Sequence, residues 1–219
     1  MFSSKIALLP KESLVQTSEV DHADWNYRPI LGTLQRARFH LIKKLLRDTS
    51  CSDLLEVGYG SGVFFPERMK HTRNISGIDI HEFPEEVTAK VADAGINADL
   101  HAGSVCEMPF ADNSMDVVVA VSALEYVEEI DVACLEIKRV LRDGGFAAIV
   151  TPNKSPILDF GLKILGGEDA DGNYGNRRER MAEALERHFD VAAIKRWPWP
   201  GLSWFTVYRA YRLLPKDVE

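Results

Sequence analysis

The run Asp116 to Ser122, DVVVAVS, has no polar residue at five successive positions, so it is stable only where both of its faces are covered. Such a strand belongs in the middle of a sheet with helices on either side. Four further β-rich stretches fit the same scheme: Asp53–Gly58, Ile75–Ile80, Ala98–Gly103 and Phe146–Thr151. They alternate with helical patterns from about residue 53 to 152, the order of βαβ units on a parallel sheet.

The helices are legible from spacing. Ile130, Ala133, Cys134, Ile137, Val140 and Leu141 recur on one helical face, and Gly144-Gly145 offers a stop. Pro84 and Gly95 bracket another helix, and Leu34, Ala37, Leu41 and Leu45 predict one before the first strand. Beyond residue 152 the pattern changes. A turn-rich segment surrounds the short apolar stretch Ile157 to Leu165, then Met181, Ala184, Leu185 and His188 mark a helix face. Two strand-like runs follow, FDVAAIKRW and WFTVYRAYRL, separated by Pro198, Pro200 and Gly201, which favour an antiparallel return. With right-handed crossovers the expected fold is α/β: a doubly wound, Rossmann-like, mostly parallel seven-stranded sheet with an antiparallel edge hairpin and helices on both faces.

Composition narrows the function classes. Acidic residues outnumber basic ones, 33 to 26, and the net charge of −7 disfavours non-specific nucleic-acid binding. No apolar run approaches the ~20 residues of a membrane-spanning helix, and the N-terminus lacks a full signal-peptide pattern, so a cytoplasmic protein is expected. Cys51, Cys106 and Cys134 form no CxxC, and the six histidines form no HxxxH or HxH pair, so neither a disulfide framework nor a metal site is signalled.

The chemistry is concentrated in LLEVGYGSGVFFPERM, residues 54 to 69, where a strand runs through Gly58, Tyr59, Gly60 and Gly62 into a helical pattern. Glycine leaves room for a ligand across the strand end and permits a turn that aims amide N–H groups at it. The spacing is G-x-G-x-G, with Val63 where a dinucleotide fingerprint requires glycine. Glu56, two residues before the first glycine, would repel a pyrophosphate and attract a cationic ligand. Asp79 ends the next strand roughly 20 residues beyond the glycines, where an acid accepts hydrogen bonds from ribose hydroxyls. A ribose without a neighbouring pyrophosphate is implied.

Over roughly residues 50 to 152 the sequence resembles the class I S-adenosylmethionine-dependent methyltransferases of the type 11 group. LLEVGYGSG is similar to the cofactor-loop motif, ISGIDI to the ribose-binding acid, GSVCEMPFADNSMDVVVAVSALEYVEE to the third and fourth motifs, and EIKRVLRDGGFAAIVTPN to the segment around the fifth strand. The resemblance implies S-adenosylmethionine as cofactor, with S-adenosylhomocysteine as product. Glu56 and the Gly58–Gly62 loop would face the methionine moiety and Asp79 the ribose. Ile80 would flank the adenine, and Ser104 with Val105 would occupy the adenine-binding pair, where relatives usually carry an acid first. Ser122 to Tyr126 follow the fourth strand, Ser122 as a further cofactor contact and Tyr126 where many relatives have His; Tyr126 and Glu125 are the catalytic candidates, unless another base acts and Tyr126 only positions substrate. Relatives also use the region before the first strand as a cap over the acceptor, which makes Trp25, Tyr27 and Arg28 candidate substrate contacts.

The implied organisation is one domain over 1–219. It comprises an N-terminal helical cap (1–50), a cofactor-binding core (51–152), an insertion or lid (153–180), and a C-terminal helix with edge hairpin (181–219). The apolar stretch in the insertion and the aromatic cluster Trp197, Trp199, Trp204, Phe205 and Tyr208 suggest a partly apolar acceptor, a small molecule or a lipid-like one. The same aromatics serve equally as core or as the interface of a homodimer. Asn176 to Arg180 reads as a solvated helix face, and Asp169 to Asn173 fails the spacing of a calcium loop. Two rivals remain: a catalytically inactive cofactor-binding or regulatory module of the same fold, and a nicotinamide-dependent oxidoreductase, against which Val63 and Glu56 both speak.

Overall fold

Val117 to Ala120 are at most 1% exposed, because their strand lies in the middle of a seven-stranded sheet covered on both faces. A computed structural model of the chain describes residues 6–18, 23–29, 31–153, 174–198 and 206–216. The expected insertion stretch Ile157–Leu165, together with Asp169–Asn173, Trp199, Trp204 and Phe205, lies outside the described residues.

The strands in chain order are β1 Cys51–Val57, β2 Thr72–Asp79, β3 Ala98–Ala102, β4 Met115–Val121, β5 Leu141–Pro152, β6 Phe189–Trp197 and β7 Tyr208–Pro215. Their order in the sheet is β3-β2-β1-β4-β5-β7-β6, so the chain reverses direction across the sheet between β1 and β4. The first five strands pair in parallel. Strand β7 runs antiparallel to both β5 and β6, which is the expected edge hairpin, with Phe189 opposite Pro215 and Trp197 opposite Tyr208.

Helix α1 (Leu31–Leu45) packs on one face, against β5, β6 and β7, and buries Ala37, Phe39, Leu41 and Ile42. Helix α4 (Ile130–Val140) closes the other face with the predicted Ile130, Ala133, Cys134, Ile137 and Val140. It stops at Val140 rather than at the Gly-Gly pair. Leu141 is already extended and enters β5, whose first residue pairs with Met115, and Gly144 adopts φ +78° within that strand. Helix α3 (Pro84–Asp93) follows the predicted bracket, with Gly95 at φ +77° beyond its end. Helix α2 is short, Phe65–Arg68, and α5 spans Tyr174–His188, burying Met181, Ala184 and Leu185.

The N-terminal segment is tied to the glycine loop. Leu9 N–H donates to the Val63 carbonyl at 3.0 Å, and Ala7 N–H donates to Glu67 at 2.8 Å. Tyr27 donates to the Leu9 carbonyl. Among the described residues no helix is long and apolar enough to cross a membrane, and no cluster of metal-ligating side chains occurs.

Candidate functional site

Parallel α/β sheets bind ligands outside the carboxyl ends of their strands, at the point where the strand order reverses. Here that point lies between β1 and β4, and the glycine loop leaves β1 there. Gly58, Gly60 and Gly62 have φ values of +72°, +52° and +67°, the left-handed region that side chains with a Cβ rarely enter. Space constrains them too: a Cβ on Gly58 would lie 2.5 Å from that of Ala123, which follows β4, whereas one on Gly60 would meet nothing within 4 Å. The loop is thus braced against the β4 exit on one side and open on the other.

Asp79 holds the open part. Its Oδ2 accepts the Gly60 N–H at 2.8 Å, fixing the crest of the loop while leaving lone pairs of the half-buried carboxylate available. Two residues on, His81 secures the same loop from the other side. Phe83 N–H donates to its Nδ1 at 3.1 Å, so the proton sits on Nε2, which donates to the Gly60 carbonyl at 3.1 Å. Sequence reading passed over His81, because nothing in the order of residues shows that its ring reaches back over twenty positions. It also passed over Gly77, which has no side chain because the Tyr59 ring lies where one would go, 2.6 Å from a Cβ built there. Tyr59 is buried, and burial raises its phenol well above the ordinary value, with Asp79 and Glu85 adding to the shift, so it stays neutral.

Glu56 has a partner that its place in the sequence does not show. Its carboxylate accepts Arg68 Nε at 2.9 Å in an ion pair excluded from water, so its charge is met inside the protein and is not offered to a cationic ligand. The side chain points to the α1 and α2 side because alternate residues of a strand face opposite ways, and Leu54 and Glu56 share that face. The pair fixes the strand behind the loop.

Ile80 is 82% exposed, an apolar side chain left in solvent beside Asp79. Val105 is buried, while Ser104 is exposed and its hydroxyl accepts Cys106 N–H at 3.1 Å. Ser122, at the end of β4, adopts φ +53°, a strained conformation for a residue with a Cβ, and its hydroxyl is buried without a hydrogen-bond partner.

Glu125 and Tyr126 stand on a short 3-10 turn, Leu124–Tyr126, just beyond Ser122. Adjacent in sequence, they have opposite environments: Tyr126 is 56% exposed and Glu125 only 2%. Neither carboxylate oxygen of Glu125 has a hydrogen-bond partner, and burial pushes its carboxyl up to about 7, with Arg178 and Arg38 opposing at longer range. A carboxyl poised there can hold or take a proton near neutral pH.

The predicted cap residues separate into two roles. Tyr27 ties the N-terminal segment down through Leu9, and burial pushes its phenol up to about 12. Arg28 is exposed, pairs with Asp24 at 3.1 Å and lies over the Trp25 ring. The structure therefore gives Tyr27 an anchoring place, and leaves Trp25 and Arg28 together at the surface of the turn Ala23–Tyr27.

Residues 55–149 match the methyltransferase domain family. A probable S-adenosylmethionine-dependent methyltransferase of Mycolicibacterium smegmatis is 29% identical over 143 residues, 65% of this chain and 52% of that protein. This chain thus spans about half the length of that relative. A ubiquinone biosynthesis O-methyltransferase of Mesorhizobium japonicum is 25% identical over 180 residues, 73% of this chain and 72% of that one. Among solved structures, an S-adenosylmethionine-dependent methyltransferase from Aquifex aeolicus superposes with a TM-score of 0.61 at 18% identity, covering 82% of this chain and 93% of its own. That likeness establishes the fold. Residues 55–149, which hold the glycine loop, Asp79 and the β4 exit, are thus similar to methyltransferase domains, and the likeness of the chain as a whole is one of fold.

Proposed function

We propose that the protein transfers a methyl group from S-adenosylmethionine to a small-molecule or lipid-like acceptor. The observation that carries this reading is the loop from Gly58 to Gly62, in left-handed backbone and held at its crest by Asp79. Asp79 has acceptor capacity left for ribose hydroxyls. Tyr59, Ile80 and Val105 supply apolar surface around the adenosyl group, with Ser104 at its edge and Ser122 at the β4 exit. Glu56 acts from behind the loop, through Arg68.

The bound cofactor supplies an activated methyl group with an excellent leaving group, so the protein's task is to align the acceptor and exclude water. Glu125 is our candidate base. The acceptor's heteroatom bonds to the methyl carbon, the electron pair of the broken carbon–sulfur bond stays on sulfur, and the acceptor's proton passes to the Glu125 carboxylate. Tyr126 and the Trp25–Arg28 pair stand outside this step, as contacts to the acceptor's far side.

Calorimetric titration with S-adenosylmethionine, S-adenosylhomocysteine and NADH tests the reading. We expect micromolar binding of the first two and none of the third; the reverse pattern would move the protein to the nicotinamide enzymes. Tyr126, where relatives carry His, favours a second reading, a module that binds the cofactor without transferring its methyl group. Cofactor binding with no acceptor found in a broad metabolite screen would support it.

A further inference from the structure

Two elements, the turn beyond β4 and helix α1, bury polar atoms that the fold leaves unmatched, and α5 and β7 add ionisable groups beside them. Glu125 contributes two buried carboxylate oxygens and Arg38, from α1, a buried Nε, none with a hydrogen-bond partner. Gln35, three residues before Arg38 and hence on the same helix face, adds a buried Oε1 without one. Arg38 and Arg178, from α1 and α5, are the cations that act on Glu125, and buried Tyr208 at the start of β7 feels all three. Buried polar groups in folded proteins are ordinarily hydrogen-bonded, so several orphans in one place mark a position completed by a ligand.

The sign of the charge says which ligand. Two guanidiniums face one carboxyl that burial keeps protonated up to neutral pH, inside a chain whose net charge is −7. The neighbouring hairpin carries two further arginines, on the sheet face opposite the one that Tyr208 shares with α1. Arg196 and Arg209 lie directly opposite each other on β6 and β7, and each has a buried Nε without a partner, although Arg209 reaches the Tyr211 hydroxyl at 3.3 Å. Like charges across a ladder repel, and a protein keeps such a pair at a cost in stability.

We propose that the methyl acceptor carries an oxyanion, a carboxylate or phosphate, which Arg38 binds while the acceptor's nucleophilic group faces Glu125. This deepens the proposed function and rests on its placement of the acceptor beside β4. Arginine suits the task because its planar donors grip a two-oxygen anion, and a site that excludes water strengthens each such bond.

The test is a titration of the 15N-labelled full chain, saturated with S-adenosylhomocysteine, with inorganic phosphate, benzoate and short-chain phosphatidate, following the arginine Nε–H resonances. Arg38→Gln assigns the Arg38 signal. We expect a saturable shift of that signal, and at least tenfold weaker anion binding in Arg38→Gln with S-adenosylhomocysteine affinity changed less than twofold. Phosphatidate much tighter than phosphate would assign the anion to a lipid headgroup; equal affinities would assign it to a free small molecule. No saturation with any of the three, or unchanged anion affinity in Arg38→Gln, overturns the proposal. Arg38→Lys guards against damage to the fold: it must keep cofactor affinity and recover part of the anion affinity, and failure to recover any while cofactor binds also overturns it. The titration is repeated without S-adenosylhomocysteine, so failure of the parent protein to bind cofactor would count against the proposed function and leave the anion result standing.

Discussion

Glu67 and Glu125 are both almost excluded from water, at 1% and 2% exposure, yet their carboxyls are displaced in opposite directions. Burial acts upward on each. At Glu67 it is overcome by Ala7 N–H, Lys43 and Lys70, which hold the group down at about 2; at Glu125 only its own backbone N–H and the more distant Arg178 and Arg38 oppose it, and the group rises to about 7. The two glutamates stand for two regions. Behind the cofactor loop the carboxylates have partners: Glu56 has Arg68 and Glu67 its lysines, while Asp79 accepts the Gly60 N–H and keeps acceptor capacity. Beyond β4, where we propose that the acceptor binds, the Glu125 carboxyl oxygens and the Arg38 Nε are buried without a hydrogen-bond partner. A pocket that receives the same molecule at every turnover can be rigid beforehand, while one that must recognise an acceptor leaves its polar atoms to be satisfied by that acceptor.

The contrast breaks first at the Glu56–Arg68 pair. Arg68→Met leaves a buried carboxylate alone and should destabilise the fold by about 3–5 kcal/mol. Urea denaturation would show it, and Glu56→Leu added to Arg68→Met should restore much of the loss, because a buried pair exchanged for apolar residues is often neutral. If Arg68→Met unfolds no more easily than the parent, the region behind the loop is not closed in the sense described.

The glutamates themselves give the next largest effect. A carboxyl whose folded pKa lies above its unfolded value favours folding only while protonated, so Glu125 should lower stability progressively as pH rises from about 4.5 to about 7. The loss is about 3 kcal/mol once the group is ionised. Glu67 acts oppositely: its contribution is present above about 4.5 and is lost as pH falls toward 2. Glu125→Gln should therefore raise stability at pH 8, leave it little changed at pH 4 and reduce turnover. Denaturation midpoints across that range check it, and a flat difference between variant and parent would remove the ionisation argument for Glu125.

On the cofactor side, Asp79→Ala should cost about 1–3 kcal/mol of S-adenosylmethionine affinity, a loss calorimetry reads directly. Unchanged affinity would sink the placement of the ribose.

How much of this contrast is legible in the sequence follows from the range of the interactions. The strands, α1, α3, α4 and the edge hairpin are legible because periodicity and glycine or proline punctuation are local. The glycine loop and Asp79 are legible because the chain brings successive strands side by side. The departures come from contacts that cross the sequence. Helix α4 ends at Val140 because Leu141 is drawn into pairing with Met115, which overrides the Gly-Gly signal. The sequence shows Glu56 without its partner Arg68, and it makes Glu125 a candidate by its place after the fourth strand without showing the burial that raises its carboxyl. The role of Arg38 is invisible for the same reason, since an arginine on an amphipathic helix ordinarily faces solvent.

The smallest expected effect sharpens the boundary between the two regions. Trp25 and Tyr27 share the turn Ala23–Tyr27, but only Tyr27 is bound into the segment that braces the glycine loop. If Trp25, whose ring lies under Arg28, contacts the acceptor as we propose, Trp25→Ala should lower turnover several-fold while leaving cofactor affinity almost intact. Tyr27→Phe removes one hydrogen bond to Leu9, whose own N–H is tied to Val63, and should cost about 0.5–1.5 kcal/mol of stability and loosen the cofactor loop. Paired measurements of cofactor affinity and turnover on the two variants decide it. If Trp25→Ala loses cofactor and turnover equally, Trp25 belongs with Tyr27 in the scaffold, and the acceptor side begins only at α1, where Gln35 and Arg38 carry its first unpaired polar atoms.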